Sequence, residues 1–292
     1  MSQPAVSALV EPLPFELVFD DGEPMENRGH VVQRDLLMDL TAWWMGERGR
    51  NDYFACGNLF VYYSIEQARD VAMGRPYFCG PDFFFVDRVS RRRRQGWVAW
   101  EEGGRLPDLI IEFLSPSTEK IDRQVKMDLY SRVFRTPEYF LHSFEGRLEG
   151  YQLDGDRYRP MRPDSRGRFR SHVLGLDLGV WHGLAYHPVN QREDGLEGHW
   201  VRFFDVEGRL IPQPIVVITD KLQAAQTQAE AAQAQAEVAQ AQAEAAQAQA
   251  EAAQAQAEAA QAGREVERRR AEAAEAELQR LRALLGEAGR QD

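Results

Sequence analysis

The sequence predicts an α/β (α+β) domain built on a mixed sheet flanked by helices, followed by a long α-helical coiled coil. Three observations carry that expectation. Pro107 to Leu114 (PDLIIEFL) is apolar on both alternating faces, as a strand covered on both sides must be. A capped turn, a helical pattern and a second apolar run follow it, completing a strand, helix, strand unit within about 40 residues, the length of a crossover connection. Finally, every Trp, Phe, Tyr, Cys and His lies in residues 1–220, whereas 221–292 is mostly Ala, Gln, Glu and Arg.

That break predicts an N-terminal arm over 1–22, one globular domain over 23–220 and a helical tail over 221–289. The net charge of −11 divides as −7 for residues 1–220 and −4 for the tail. A chain that coats nucleic acid without specificity needs an extended positive face, so that class is excluded and only a local cleft remains. Cys56 and Cys79 stand alone, without C-x-x-C or zinc spacing, which indicates neither a disulfide framework nor a structural zinc. No basic segment precedes the first apolar residues and no run approaches the ~20 apolar residues of a membrane span. The expectation is a soluble, cytoplasmic chain with no membrane partner.

In chain order, Asp20-Asp21-Gly22-Glu23 reads as a turn. Residues 30–49 place Val32, Leu36, Leu40, Trp43 and Trp44 at helical spacing, and Gly49 ends that helix. NLFVYYS (58–64) and YFCGPDFFFVD (77–87) are rich in β-branched and aromatic residues and predict strands. RVSRRRRQG (88–96) is a polar turn and the only dense basic run, more often a solvated loop than a nucleic-acid contact. Trp97 to Trp100 resumes a short strand. After PDLIIEFL, Ser115 to Glu119 supplies cap residues, and Ile121, Val125, Leu129 and Val133 predict a helix over 119–134 that packs this stripe on the sheet. Lys126 falls at the edge of the stripe. PEYFLHSF (137–144) is the returning strand, and Arg147 to Leu153 with Arg157 to Met161 form a hairpin around Asp154-Gly155-Asp156. RFRSHVLGLDLGVW, HWVRFFDVEGRLI and PIVVITD add short strands and turns.

Beyond Asp220, Glu230, Glu237, Glu244, Glu251 and Glu258 recur every seven residues. Alanines from Ala232 to Ala260 form a 3,4-spaced seam that resumes at Ala271, Ala274, Leu278, Leu281 and Leu285, with Arg264 and Glu267 interrupting it. An alanine seam buries little, since each leucine methylene it lacks is worth ~0.8 kcal/mol. Ala, Gln and Glu are strong helix formers, so a helix is expected whether the tail is alone or oligomerised.

Asp82 follows Pro81 inside an aromatic strand, and Asp108 and Glu112, four apart, share one face of the next strand. A buried carboxylate needs a cation, a donor or a raised pKa. Hard oxygen ligands suit Mg²⁺ or Mn²⁺, which takes one or two carboxylates together with phosphate oxygens. Lys126, on the helix that follows, is placed to orient a water attacking a phosphodiester. The plain alternatives are a Pro-Asp turn cap at Asp108 and a structural ion pair between Glu112 and Lys126.

At these residues the sequence resembles the Uma-two family of restriction-endonuclease-like proteins, within the PD-(D/E)XK nuclease superfamily. The likeness spans about residues 15–180. GPDFFFVD resembles the family's first Pro-Asp strand, PDLIIEFLSPST its PDLVVEVLSPST-like strand and turn, and DRQVKMDLYSRVFRTPEYFLHS its D-x-x-x-K-x-x-x-Y helix leading to a PEYW-like strand. DDGEPM resembles its D-G-E turn, with His30 near the family's histidine. The resemblance implies a restriction-endonuclease-like fold in which Asp82 and Glu112 are metal ligands, Asp108 a further acidic member, Lys126 the lysine displaced from strand to helix, and Glu23 an N-terminal acidic contributor. Leu114 stands where the superfamily's strand lysine is usual, Thr136 where a Gly-Val-Pro-Glu-like turn is usual, and His142 where an aspartate is common.

Two functional expectations follow. One is a Mg²⁺-dependent endonuclease acting on DNA and oligomerised by its C-terminal coiled coil. The other is a catalytically inactive nuclease-like head of a coiled-coil assembly or scaffold protein.

Overall fold

The structure is a computed structural model and describes residues 13–17, 28–75, 79–186 and 195–288. The chain divides into two compact units, Met1–Asp220 and Lys221–Asp292.

A six-stranded mixed sheet organises the first unit, in the order β1 (Tyr53–Cys56), β3 (Phe83–Asp87), β5 (Leu109–Leu114), β6 (Glu138–Ser143), β7 (Arg147–Asp154) and β8 (Arg157–Pro160). Strands β5 and β6 run parallel and every other pair in that sheet is antiparallel. A parallel pair needs a crossover. Residues 119–134 provide it as helix α3. Strands β9 (Phe169–Ser171), β10 (Leu176–Ala185) and β11 (Leu196–Phe204) form a second, antiparallel sheet. Two residues each of β2 (Val61–Tyr62) and β4 (Trp97–Val98) pair in parallel, and helix α2 (Ile65–Ala72) lies between them in the chain.

Alternation along β3 and β5 decides what each face covers. Phe83, Phe85, Leu109, Ile111 and Phe113 point to one side, where α1 (Arg28–Gly46) contributes Val32, Leu36, Leu40 and Trp44 and the second sheet contributes Leu176, Leu178, Trp200 and Phe203. Phe84, Val86, Ile110 and Leu114 point to the other, with Tyr130 and Phe134 of α3 and Trp97 of β4. Burial of each large apolar side chain contributes roughly 1.5–3 kcal/mol. Gln33 fixes α1 against β11 in the manner of a strand edge: its Nε2 donates to Val201 O at 3.2 Å and its Oε1 accepts from Val201 N at 2.8 Å. Glu112 shares the parity of Ile110 and Leu114, so it faces α3.

Helix α3 is α-helical over Glu119–Ile121 and Met127–Leu129 and π-helical over Asp122–Lys126 and Tyr130–Phe134. Wider π turns alternate with α turns, giving about four residues per turn on average, so side chains four apart stack in straight rows. Two such rows lie side by side. The sequence predicts that Ile121, Val125, Leu129 and Val133 face the sheet; instead Ile121, Val125 and Val133 are exposed. The neighbouring row turns inward, burying Asp122, Tyr130 and Phe134, with Lys126 half-buried. Two aromatic rings bury more area than the β-branched row, and the inward polar groups find partners. Arg135 closes the helix in the left-handed region at φ 58°.

Other expectations shift. The first sheet strand is β1, upstream of NLFVYYS, which keeps only Val61–Tyr62 as strand. Trp97–Val98 passes into a 3₁₀ turn, Ala99–Glu102. PIVVITD is not a strand: it opens helix α4, Pro214–Ala288, where a proline at the first helical position costs nothing. In that helix residues 221–282 are exposed, and Gln233, Gln240, Gln247 and Gln254 each donate to the glutamate four residues on.

Candidate active site

Three elements deliver one cluster. Asp82 sits at the start of β3, Glu112 in the middle of β5, and Asp122, Lys126 and Tyr130 occupy one row of α3 at successive i, i+4 steps. The Asp82 backbone is pinned from the β1 side: Asn58, itself at φ 50°, donates its N–H to Pro81 O at 2.9 Å. A Cβ at Gly57 would collide with the Asp82 carbonyl, so only glycine permits that approach. Strand β5 completes the hold, with Phe113 N–H donating to Asp82 Oδ2 at 2.6 Å and Asp82 N–H donating to Glu112 Oε2 at 3.2 Å.

Lys126 Nζ lies 3.0 Å from Glu112 Oε2 and 2.8 Å from Asp122 Oδ1. Tyr130 donates its hydroxyl to Glu112 Oε1 at 2.7 Å, and that hydroxyl is 3.7 Å from Cys79 Sγ. Glu112 has no exposed surface, whereas the Lys126 side chain retains 24% of its own. The cluster therefore meets solvent at Lys126 and at the partly buried Asp82.

Electrostatics follow from this arrangement. Burial pushes the Glu112 carboxyl up to about 7; the Lys126 ammonium opposes that and Asp82 adds to it. Burial likewise raises Asp82, against the pull of Lys126. Asp122 is raised by burial and by Glu112. Burial alone would lower the Lys126 ammonium, but Glu112, Asp122 and Asp82 outweigh it and hold its pKa above the ordinary value. Lys126 stays charged across the physiological range.

Asp108 is not brought into this cluster. It precedes β5, four residues from Glu112 and about 13 Å along an extended strand. There it accepts from Asp87 N–H at 2.7 Å and from Arg105 Nη2 at 3.1 Å, closing a turn at the other end of the sheet. The set of Asp82, Glu112 and Asp108 therefore does not assemble as one metal site, and among the described residues no group of three His, Cys, Asp or Glu side chains is placed to hold a metal. Sharing a strand face does not mean sharing a site. Glu23 lies outside the described residues. His142 is buried, held between Arg147 O at 3.2 Å and His199 O at 3.1 Å, and burial lowers its pKa to about 4. His30 is also buried, stacked on Phe144.

The arginine run leaves the far end of β3 from Asp82. Arg94, 2% exposed, donates to both carboxylate oxygens of Glu102 and lies over Phe54 and Trp97. Arg92 joins it on Glu102. These two arginines are spent on the fold.

Asp122 and Tyr130 are the first and last residues of the D-x-x-x-K-x-x-x-Y pattern, but sequence alone assigns them no role in the site. The signal was present as their four-residue spacing on either side of Lys126, which places all three on one row.

A family model described as "Putative restriction endonuclease", Uma2, matches residues 14–186, more than half of the chain. The chain belongs to the Uma2 family. No curated protein matches it. Among solved structures, a putative nuclease belonging to DUF820 from Anabaena variabilis is similar at 16% identity and a TM-score of 0.36, over 54% of this chain and 80% of its own. Family membership makes this a nuclease-like protein, of a kind that generally uses divalent metals. Of the sequence-predicted ligands, the structure brings Asp82 and Glu112 together, with Asp82 N–H on Glu112 Oε2 at 3.2 Å and Lys126 3.0 Å from the same oxygen. Mg²⁺ asks for no more than one or two protein carboxylates.

Proposed function

We propose that this Uma2 chain is an endonuclease hydrolysing DNA phosphodiester bonds with Mg²⁺ or Mn²⁺, and that its C-terminal helix oligomerises it. The observation that supports the reading is Lys126, arriving from α3 to stand 3.0 Å from Glu112, with Asp82 hydrogen-bonded to the same carboxylate. Asp82 and Glu112 would hold the ion. Bound there, a divalent ion supplies positive charge to the scissile phosphate and lowers the pKa of the attacking water.

The chain's own groups account for the rest. Lys126 has three N–H donors, two of them directed at Glu112 and Asp122, leaving one for the attacking water or a phosphate oxygen. Because its ammonium stays protonated, it orients and stabilises charge rather than abstracting a proton. Asp122 and Tyr130 fix the lysine and Glu112 against each other. Self-association would place two such sites in one particle, which suits cutting both strands.

The test is nicking of supercoiled plasmid with Mg²⁺, comparing wild type with Glu112→Gln and Lys126→Ala. Loss of at least 100-fold in both supports the reading, and equal nicking by all three ends it. The second reading, an inactive nuclease-like head of a coiled-coil assembly, draws on the ion pairs that already satisfy Lys126 and on the length of α4. It is favoured if wild type does not cut while light scattering shows the full chain to be an oligomer.

A further inference from the structure

We infer that α4 pairs with a second copy of this chain in antiparallel register, centred between Arg264 and Glu267. The inference rests on the self-association proposed above and adds its direction and its alignment.

The helix continues without a break through Gly263, so the 3,4-spaced seam keeps its phase. Arg264 and Glu267 stand on the seam itself, between Ala260 and Ala271. Leu278 and Leu281, further along it, are 53% and 50% exposed in the single chain and call for cover. Gln240 and Gln242, with their heptad equivalents, flank the alanine part. The glutamates of the repeat lie away from it, each bonded to a glutamine one turn earlier. A partner approaching the seam therefore meets no acidic row.

Direction is decided by the two charges. A parallel, in-register pair sets each seam residue against its own copy, so Arg264 would face arginine and Glu267 would face glutamate in consecutive layers. An antiparallel pair centred here sets Arg264 against Glu267 of the partner subunit, and Glu267 against Arg264 of the partner subunit. Both repulsions become attractions. Sliding the antiparallel pair by one heptad either way leaves each charge facing alanine, which singles out this alignment.

Side-chain size agrees independently. In the same alignment Leu278 falls opposite Ala253 of the partner subunit, and Leu281 opposite Ala250 of the partner subunit. Large against small keeps the helices evenly spaced, whereas a parallel pair would be wide at the leucines and narrow at the alanines. The overlap covers about 45 residues of each helix, roughly 65 Å at 1.5 Å per residue.

Spin labelling of the full chain tests this directly. With Cys56→Ser and Cys79→Ala as background, a nitroxide on Ala248→Cys lies on the outer face, level with residue 283 of the other copy. The expected inter-label distance is about 50 Å. A distance of about 20 Å overturns the direction alone, and a monomer by sedimentation overturns the self-association with it. In the wild-type background, Arg264→Glu should weaken the dimer roughly tenfold or more, and Arg264→Glu with Glu267→Arg should restore it. An unchanged dissociation constant for the single variant overturns the alignment.

Discussion

Replacing Lys126 with methionine keeps the side-chain stem and removes the ammonium. Glu112, which has no exposed surface, then loses the cation at 3.0 Å and keeps only the Tyr130 hydroxyl at 2.7 Å and the Asp82 N–H at 3.2 Å. Removing one partner of a buried ion pair costs about 3–5 kcal/mol. That loss should depend on pH, and its sign follows from Glu112. Folding raises this carboxyl from 4.5 to about 7, so the folded state holds the proton more tightly than the unfolded chain does. Its contribution is therefore favourable below the unfolded value and lost as pH rises through about 7. Without the ammonium the carboxyl rises further. The variant should lose the full amount at pH 8.5 and clearly less at pH 5.5, where Glu112 is protonated in the wild type as well. Urea unfolding followed by tryptophan fluorescence reads this from the first unit alone, since all six Trp lie between Trp43 and Trp200. Adding Glu112→Gln to Lys126→Met should recover about 1.5 kcal/mol or more at pH 8.5, because only Asp122, 2.8 Å from the lost ammonium, is then left without its cation. A loss below about 1 kcal/mol at pH 8.5, or an equal loss at both pH values, refutes the electrostatic account of the cluster.

Tyr130→Phe keeps the ring and removes one donor to Glu112; it should cost about 1–3 kcal/mol in the same unfolding assay and lower nicking, and an unchanged nicking rate would remove Tyr130 from the site. Asp108→Asn should cost about 1–2 kcal/mol through its Asp87 and Arg105 contacts while nicking stays within a few-fold of wild type. A 100-fold loss there would return Asp108 to the chemistry. Glu23→Gln in that assay decides whether Glu23 contributes a carboxylate. Arg94→Ala should destabilise the fold by about 1–3 kcal/mol and leave the salt dependence of DNA binding unchanged; a slope reduced by about one would make it a phosphate contact.

What was legible in the sequence was whatever the backbone dictates locally. PDLIIEFL is apolar on both faces because β5 is central, and the EAAQAQA repeat admits little but helix. The positions of Asp82, Glu112 and Lys126 could be anticipated because each sits in a strongly patterned segment. What failed did so for identifiable reasons. Two rows of equal period run along α3, and hydrophobicity alone selects the β-branched row, whereas the aromatic and charged row is the one the sheet accepts. PIVVITD is β-branched, yet its proline opens a helix that the following residues sustain. YFAC of β1 is short and outscored by NLFVYYS. Asp108 and Glu112 share a face by periodicity, but β3 pairs only as far as Phe85 with Leu109, so the two carboxylates serve opposite ends of the sheet.

The inward polar row of α3 also bears on how the proposed activity should disappear on heating. The helix presents Ile121, Val125 and Val133 to solvent and anchors itself through Tyr130, Phe134, the partly buried Met127 and Leu129, and the buried charges. A segment with few apolar anchors opens before the sheet it covers. Amide exchange in 119–134 should therefore outpace that of β5 and β6, and loss of the proposed nicking activity should precede the loss of sheet signal. The proposed activity would then report the local opening of one helix, at temperatures where the rest of the fold is still intact.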